Sequence, residues 1–296
     1  MTQVTPLRAL ILTARPKTLS AALVPVVVAT ALVAAEHAQP VWWISICAVL
    51  SAICIQVGTN FANDALDFWK GADKETRLGE ARASQSGWFQ PRTVLAMAFA
   101  FFALAALLGL PLVMEGGWPV FWIGVISLLM GYAYTGGPFP LAYLGLGDVF
   151  VLIFFGLVAV GGVYFLQTKE LSTGALVAGA QVGLLATVLI AINNLRDLEQ
   201  DRQVNKKTLA VRLGPRRGRF EVLFLVGAAF ALNFYWWWRG EWLAALLPLL
   251  VSPVAIGLLW SLLTTSASRE YNRLLAKAAL VHVLFGLLFS AGLVLI

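Results

Sequence analysis

Two clusters of carboxylates and carboxamides stand out in this chain of 296 residues, because each comes directly after a long apolar run. At helical spacing each cluster shares one helix face, the first at i, i+4 and i+7 and the second at i, i+4 and i+8. Neither contains His or Cys, so their oxygens favour Mg²⁺ over Zn²⁺, and Mg²⁺ is typically shared with substrate phosphates. The sequence therefore predicts a magnesium-dependent diphosphate site. The candidate ligands are Asn60, Asp64, Asp67 and Asp73 in the first cluster and Asp197 and Asp201 in the second, with Asn63 and Asn193 beside them.

Basic residues accompany both clusters and could donate hydrogen bonds to phosphate oxygens. The predicted clamp consists of Lys70, Lys74, Arg77 and Arg82 after the first cluster, and of Arg196, Lys206, Lys207 and Arg212 with the second. A plainer interpretation is that these are solvated loops whose charges pair with one another, which suits the more distant Glu80, Arg216, Arg217 and Arg219. For the four aspartates at helical spacing, the repeated pattern of Asn and Asp argues against it.

The rest of the chain is apolar. Hydrophobic residues make up 60% and charged residues 12% of it, and the mean hydropathy is +0.82, as is typical of polytopic membrane proteins. Nine charge-poor stretches, nearly all long enough to cross a bilayer, predict an all-α membrane protein with nine transmembrane helices. They cover residues 19–35, 41–63, 93–114, 116–147, 149–168, 171–195, 222–238, 242–268 and 278–296.

The distribution of charge predicts the orientation of these helices. Of the 21 Lys and Arg residues, all but Lys169 and Arg239 fall in segments that share one side if the helices alternate. By the positive-inside rule that side is cytoplasmic, so the N-terminus is predicted inside and the C-terminus outside. Contact with the lipid bilayer and with an anionic substrate then accounts for the net charge of +6 without nucleic acid. Both clusters would lie on the cytoplasmic face.

A single integral membrane domain is predicted over residues 1–296, with cytoplasmic cap loops at about 64–92 and 196–219. Each cap loop comes after an Asn-rich helix end, four helices apart, as in a weak parallel internal repeat. The Gly- and Pro-rich segment 132–140 predicts that the fourth helix stops near Tyr134. Its tyrosines are interpreted either as anchors at the membrane interface or as part of a substrate cavity.

The sequences around both clusters resemble the UbiA superfamily of intramembrane aromatic prenyltransferases, whose signatures are an N-D-x-x-D-type and a D-x-x-x-D-type motif. The resemblance covers nearly the whole chain and is strongest for the branch that prenylates 1,4-dihydroxy-2-naphthoate. One departure is that Gly71 stands four residues after Asp67, and the next acid is Asp73. The matching sequences are GTNFAND at 58–64, GAD at 71–73, NNLRD at 193–197, KTLAVRLG at 207–214, RPKT at 15–18 and YTGGP at 134–138.

This resemblance implies a helix bundle around a central cavity, with the two motifs facing each other across its cytoplasmic mouth. It implies that Mg²⁺ ions held by the aspartates and Asn60 bridge the diphosphate, which Lys207 and Arg212 contact. The four aspartates Asp64, Asp67, Asp197 and Asp201 are then the expected catalytic residues. The expected substrate-binding residues are Asn60, Asn63, Lys70, Lys74, Arg77, Tyr134, Asn193, Arg196, Lys207 and Arg212.

The reaction implied by the resemblance transfers a polyprenyl group from polyprenyl diphosphate to 1,4-dihydroxy-2-naphthoate. Loss of diphosphate and CO₂ would give demethylmenaquinol for menaquinone biosynthesis at the bacterial cytoplasmic (inner) membrane. The carboxylate of the acceptor needs a cationic neighbour. Arg15 and Lys17 are candidates, although both also suit simple positive-inside anchoring.

Other functions stay open at this point: a relative that transfers phytyl or another chain, one that uses 4-hydroxybenzoate, and a transporter for a lipid diphosphate. A transporter is expected to carry polar residues near the bilayer midplane. The helix interiors offer little beyond Gln56, Gln181, Asn233 and His282, which favours an enzyme.

Overall fold

The computed structural model describes residues 4–37, 39–72 and 78–295, so the predicted site residues Asp73, Lys74 and Arg77 lie outside the described residues. Every regular element in the described part of the chain is helical, which confirms the all-α prediction. Short 3₁₀ turns cover Pro16–Thr18 and Leu247–Val251, and a π-helical turn covers Ile153–Val158. The α-helices are α1 Pro6–Ala14, α2 Ser20–His37, α3 Trp42–Trp69, α4 Pro91–Ala133, α5 Gly147–Leu152, α6 Ala159–Thr168, α7 Thr173–Gln203, α8 Leu209–Ala231, α9 Asn233–Trp238, α10 Trp242–Leu246, α11 Ser252–Thr264 and α12 Tyr271–Val294.

The described residues of both clusters lie on the last turns of long helices rather than in loops. α3 continues to Trp69 and ends where Gly71 takes a φ of +68°, a conformation common just after helix C-termini. α7 continues to Gln203, and the side chain of Thr208 caps the start of α8. The Asn and Asp residues do not end these helices, because their side chains do not bond to the local backbone. In α3, Asn60 and Asp64 bond to neighbouring segments. In α7, Asn193 and Asp197 bond to the Arg196 guanidinium.

The predicted cap loops are consequently too long. The connection after the first cluster covers 70–90 instead of 64–92. The connection after the second covers only 204–208, because most of 196–219 belongs to α7 and α8. We call residues 78–84 of the first connection the cap segment.

Seven helical segments of the described chain are long and apolar enough to cross a membrane. The bent pair Pro6–Thr18 and Ser20–Glu36 makes an eighth if it counts as one span. This number differs from the nine predicted because two predicted spans, 93–114 and 116–147, both begin inside α4.

α4 is 43 residues long but does not run straight, since Gly117 has a non-helical φ of 67° and ψ of −154°. A straight helix of this length would reach about 65 Å, about twice the thickness of the hydrocarbon core. Instead the rings of Phe99 and Tyr132, from opposite halves of α4, stack with centroids 5.8 Å apart. The chain therefore reverses direction near Gly117, and both halves pack along α3.

α7 is the most buried of the spanning helices, and small residues let its neighbour approach closely. A Cβ atom placed on Gly156 of the π-helical turn would lie 2.4 Å from the carbonyl oxygen of Gly179 and 2.7 Å from the Cα atom of Gly183. No larger residue fits at Gly156 without displacing backbone. This contact holds the segment that carries Phe150 and Phe154 against α7, where both rings line the main cavity.

Candidate active site

A cavity of about 430 Å³ lies among α2, α3, α4, α6 and α7, and its lining is mostly apolar. Polar side chains gather at the end where α3 and α7 finish, next to a polar niche of about 20 Å³. An apolar chamber that joins a charged niche suits an amphiphilic ligand with a charged head group. The residues that line both spaces are Asp67, Arg82, Asn193 and Lys206, and the niche is completed by Ala72, Asp197, Gln200 and Asp201.

Of the two first-cluster aspartates that the structure describes, Asp67 is the one that lines the niche. Arg82 Nη2 of the cap segment lies 3.1 Å from its Oδ2, and the Tyr143 hydroxyl donates to its Oδ1 at 2.9 Å. Lys206 Nζ lies 3.8 Å from Asp67 Oδ2 and 3.7 Å from Asp201 Oδ1. One ammonium group is thus placed between carboxylates of α3 and α7, where it offsets their mutual repulsion.

Asp64 is used differently. Its two oxygens accept hydrogen bonds from backbone amides of the cap segment, from Ala83 at 2.8 Å and from Ser84 at 2.9 Å. It is 2% exposed and lines neither the cavity nor the niche. The prediction of one ligand-binding face shared with Asn60 and Asp67 therefore does not hold for Asp64. Around the helix it is offset from Asp67 by about 60°, which turns it towards the cap segment.

Asn60 and Asn63 reach the cavity, but their side chains also hold neighbouring segments. Asn60 Nδ2 donates to the last carbonyl of α1 at 2.9 Å and to the Thr18 hydroxyl at 3.1 Å. These bonds fix the N-terminal turn that brings Arg15 to the cavity wall. The side-chain oxygen of Asn63 accepts a hydrogen bond from the Thr135 hydroxyl.

Of the two cations considered for the acceptor carboxylate, Arg15 lines the cavity, whereas Lys17 does not. Tyr134, a predicted substrate-binding residue, also lines the cavity. Lys17 forms an exposed ion pair with Glu80 at 2.5 Å. Burial raises the pKa of Tyr134, and the nearby Asp148 carboxylate adds to this rise, so its hydroxyl stays protonated. Tyr134 thus lies in the wall of the cavity, which favours the second of its two sequence interpretations.

Arg196 organises the second cluster. Its Nε donates to Asp197 Oδ1 at 2.8 Å and its Nη2 to Asp197 Oδ2 at 2.6 Å. Nη2 also donates to Asn193 Oδ1 at 2.7 Å, and Nη1 donates to Asn272 Oδ1 at 2.8 Å. Arg196 lines neither space, so it orients Asp197 and Asn193 rather than facing a ligand itself. Asn193, Asp197 and Asp201 all line the niche, as their predicted common face requires.

The predicted phosphate contacts Lys70, Lys207 and Arg212 line neither the cavity nor the niche; they hold the loop 134–146. Arg212 Nη2 donates to a carbonyl of this loop at 2.8 Å, and the Lys207 amide donates to the Tyr143 carbonyl at 3.1 Å. Lys70 Nζ donates to another loop carbonyl and lies 4.3 Å from the centroid of the Tyr143 ring. The side chains of Lys70 and Arg212 and the backbone amide of Lys207 therefore support this loop from outside both spaces.

Tyr143 is a site residue that carries no signal in the sequence, because no motif marks its place in the loop. Burial raises the pKa of its hydroxyl and the neighbouring Asp67 raises it further, so the group remains a hydrogen-bond donor to Asp67. The sequence does indicate Arg82 and Lys206 as candidate phosphate contacts, since both are basic and near the clusters. Their position at the junction of cavity and niche is what the sequence did not reveal.

The donors fit Mg²⁺ without forming a closed cage. Among the described residues, no group of three or more His, Cys, Asp or Glu lies close enough to hold a metal alone. Lys206 lies between Asp67 and Asp201, and Arg82 pairs with Asp67. The niche nevertheless offers the hard oxygen ligands of Asp67, Asp197 and Asp201. Mg²⁺ usually completes such a partial set with waters and substrate phosphates, so the residues present suit it.

Comparison with known proteins decides the family. The model of the UbiA prenyltransferase family matches residues 22–294. The chain belongs to this family. Two curated relatives, both named 1,4-dihydroxy-2-naphthoate octaprenyltransferase, match over almost their whole length. The Haemophilus influenzae protein is 34% identical over 96% of this chain and 94% of its own, and the Mycobacterium tuberculosis protein is 34% identical over 95% and 94%.

The fold of this UbiA-family prenyltransferase is also similar to a solved structure of a UbiA homolog from Archaeoglobus fulgidus bound to GPP and Mg²⁺. The TM-score is 0.67, and the alignment covers 97% of this chain and 100% of that chain at 16% identity. The likeness confirms the UbiA fold. With its series of apolar helices, the chain is a multi-pass membrane protein.

Proposed function

We propose that this UbiA-family enzyme transfers a polyprenyl group from a polyprenyl diphosphate to 1,4-dihydroxy-2-naphthoate. The products are demethylmenaquinol, diphosphate and CO₂, as menaquinone biosynthesis requires. The observation that carries the proposal is the 34% identity, over at least 95% of this chain, to relatives that bear this name. An apolar cavity that joins a niche of carboxylates and cations supports it.

The niche would hold the diphosphate head group. Arg82 and Lys206 line both the cavity and the niche, so they can donate hydrogen bonds to phosphate oxygens while the allylic C–O bond breaks and its electron pair leaves with the diphosphate. Asp67, Asp197 and Asp201 would hold Mg²⁺, which when bound neutralises charge on the leaving diphosphate. The Tyr143 hydroxyl keeps Asp67 oriented towards that position.

The cavity would hold the prenyl chain and keep water away from the allylic cation. Aromatic faces can stabilise such a cation through their quadrupoles. Phe150 and Phe154 present a stacked pair with centroids 5.7 Å apart. The aromatic residues of the cavity wall are Phe121, Tyr134, Phe150, Phe154 and Phe155.

Arg15 is the proposed contact for the acceptor carboxylate. Of the cationic residues that line the cavity in the described structure, it is the one that does not also line the niche. It is therefore placed to bind an anion next to, but separate from, the diphosphate. The ring carbon that bears the carboxylate attacks the allylic cation, and the electrons of the C–CO₂ bond return to the ring as CO₂ leaves.

We also infer nine membrane spans: the seven apolar helical segments, the bent N-terminal pair, and a second crossing within α4. The positive-inside distribution supports a cytoplasmic N-terminus and an active site on the cytoplasmic side of the bacterial inner membrane. This placement would give the soluble acceptor direct access from the cytoplasm.

The test is to incubate membranes that contain the protein with Mg²⁺, a prenyl diphosphate and either 1,4-dihydroxy-2-naphthoate or 4-hydroxybenzoate. We expect a prenylated naphthalene product together with an equal amount of CO₂. Prenylation of 4-hydroxybenzoate alone would refute the proposed acceptor, and movement of the lipid diphosphate without any product would favour a transporter.

A further inference from the structure

Asn272, the second residue of α12, joins two parts of the active site that the sequence holds far apart. Its Nδ2 donates to the carbonyl oxygen of Leu78 in the cap segment at 2.9 Å. Its Oδ1 accepts a hydrogen bond from Arg196 Nη1 at 2.8 Å. One half-buried side chain therefore bonds to the cap segment and to the second cluster at once.

The bond to Arg196 leads directly to the niche. The same guanidinium holds Asp197 through two hydrogen bonds and Asn193 through a third. Asp197 and Asn193 line the niche, whereas Arg196 and Asn272 do not. Asn272 thus supports, from behind, the group that orients the second cluster.

The bond to the Leu78 carbonyl connects Asn272 to the niche through the cap segment. The cap segment carries Arg82, which lines the niche and pairs with Asp67 at 3.1 Å. The end of the cap segment is fixed to α3, because its last two amides donate to Asp64. Its beginning is fixed to α12 by Asn272.

We propose that Asn272 is a positioning residue for the prenyl-transfer site. It sets the cap segment at a fixed distance from the second cluster, so that Arg82 and Asp197 face the same niche. The proposal rests on the proposed function only in that the niche binds a diphosphate. No ligand contact is assigned to Asn272.

The chemistry of the side chain explains why Asn serves here. A carboxamide offers a donor and an acceptor at once, and both are used. Asp at this position would keep the acceptor for Arg196 but lose the donor to the Leu78 carbonyl. Ala would lose both. The two substitutions therefore separate the bond to the cap segment from the bond to the second cluster.

The experiment compares Asn272→Ala and Asn272→Asp with a matched control, Arg273→Ala. Arg273 is the next residue on α12, its side chain is 80% exposed, and its ion pair is with Glu270. Hydrogen–deuterium exchange measured by mass spectrometry reports on the amides of the cap segment in the full-length protein. Titration calorimetry with Mg²⁺ and inorganic diphosphate reports on the niche without any acceptor.

In both Asn272 variants we expect the cap-segment amides to exchange about tenfold faster than in the wild type, since a bond to its start is lost. We expect the affinity for Mg²⁺ with diphosphate to fall about tenfold, and the KM for prenyl diphosphate to rise by a similar factor while kcat changes less than about twofold. In Asn272→Asp, residues 193–201 should exchange as in the wild type, because the contact to Arg196 is kept. The Arg273→Ala control should match the wild type throughout.

Unchanged exchange of the cap segment in Asn272→Asp would overturn the proposal, and so would faster exchange spread evenly over all helices. If Asn272→Ala fails to fold, Asn272→Asp alone carries the test. A wild-type protein that does not prenylate naphthoate would refute the proposed acceptor, yet leave the exchange and diphosphate results intact. The two failures are therefore distinguishable.

Discussion

The two acidic clusters contain the same residue types at nearly the same helical spacing, yet the structure uses them differently. In the first cluster Asp64 is bonded to two backbone amides of the cap segment, and of the acids of this cluster that the structure describes, Asp67 is the one that lines the niche. In the second cluster both Asp197 and Asp201 line the niche. The difference arises from the segments that come after each helix. The cap segment contacts α3, with its backbone amides on Asp64. After α7, five residues lead directly into α8. A carboxylate such as Asp64 stabilises the fold, instead of facing the niche, where backbone amides of a following segment can donate hydrogen bonds to it.

The variant expected to have the largest effect is Asp67→Asn, which tests whether Asp67 is the aspartate that α3 contributes to the niche. Asp67 touches Arg82, Tyr143 and Lys206, so its loss removes the link between the clusters together with a ligand for the cation. We expect the initial rate of prenyl transfer to fall about a thousandfold, as when a charge-stabilising group of an active site is removed. Rates should be measured at saturating Mg²⁺ on protein with wild-type thermal stability. A loss smaller than about tenfold would show that Asp67 is not the site aspartate of α3.

Lys206→Met should produce effects of opposite sign on two ligands. The Lys206 ammonium lies between Asp67 and Asp201 and competes with any other cation there. Its removal should strengthen the binding of Mn²⁺ alone and weaken that of diphosphate, with a rate about a hundredfold lower. Calorimetric titration with each ligand checks this. Weaker Mn²⁺ binding in Lys206→Met would contradict the idea that the ammonium group and the metal ion compete for the same position between the clusters.

Asp64→Asn should act on stability and only indirectly on rate. Asn keeps one acceptor oxygen and so loses one of the two charge-assisted bonds to the cap segment, which costs about 2 kcal/mol. We expect a lower melting temperature and a rate reduced about tenfold, without a change in the Mg²⁺ concentration that gives half-maximal activity. If Asp64→Asn and Asp67→Asn lost activity equally at unchanged stability, the division of roles within the first cluster would be wrong.

Arg212→Ala should have the smallest effect. Arg212 is exposed and bonds only to backbone carbonyls of the second connection and of loop 134–146 among the described residues. We expect less than about a threefold change in the KM for prenyl diphosphate, because other contacts still hold the loop. A hundredfold rise in KM would instead indicate that Arg212 contacts the diphosphate, as the sequence predicts.

Much of the helical architecture can be predicted from the sequence, because long apolar runs are a strong signal. The orientation that the asymmetry of Lys and Arg indicates stays a prediction. The helical class is confirmed. Asp67 of the first cluster and Asn193, Asp197 and Asp201 of the second line one niche. The boundary between the two spans within α4 is harder to predict, because the turn at Gly117 interrupts the helix without any polar loop. Helical periodicity also placed Asn193, Asp197 and Asp201 correctly, since all three line one niche.

The site residues that were missed share a physical cause. Tyr143 and Asn272 act through contacts between segments distant in sequence, and no local pattern encodes such contacts. For the same reason Asp64 could not be told apart from Asp67, since both are acids on the last turns of one helix. Proximity to the clusters in the sequence indicates the basic residues, but it cannot rank Lys206 above Lys207, which does not line the niche.

The central claim is that one niche, built from both clusters, binds one diphosphate. A double-mutant cycle of Asp67→Asn and Asp201→Asn tests it most directly, with calorimetric binding of Mg²⁺ and inorganic diphosphate as the readout. If the two carboxylates act as a unit, each single variant should weaken binding about thirtyfold and the double variant hardly more. Independent losses that multiply to about a thousandfold in the double variant would contradict a shared site.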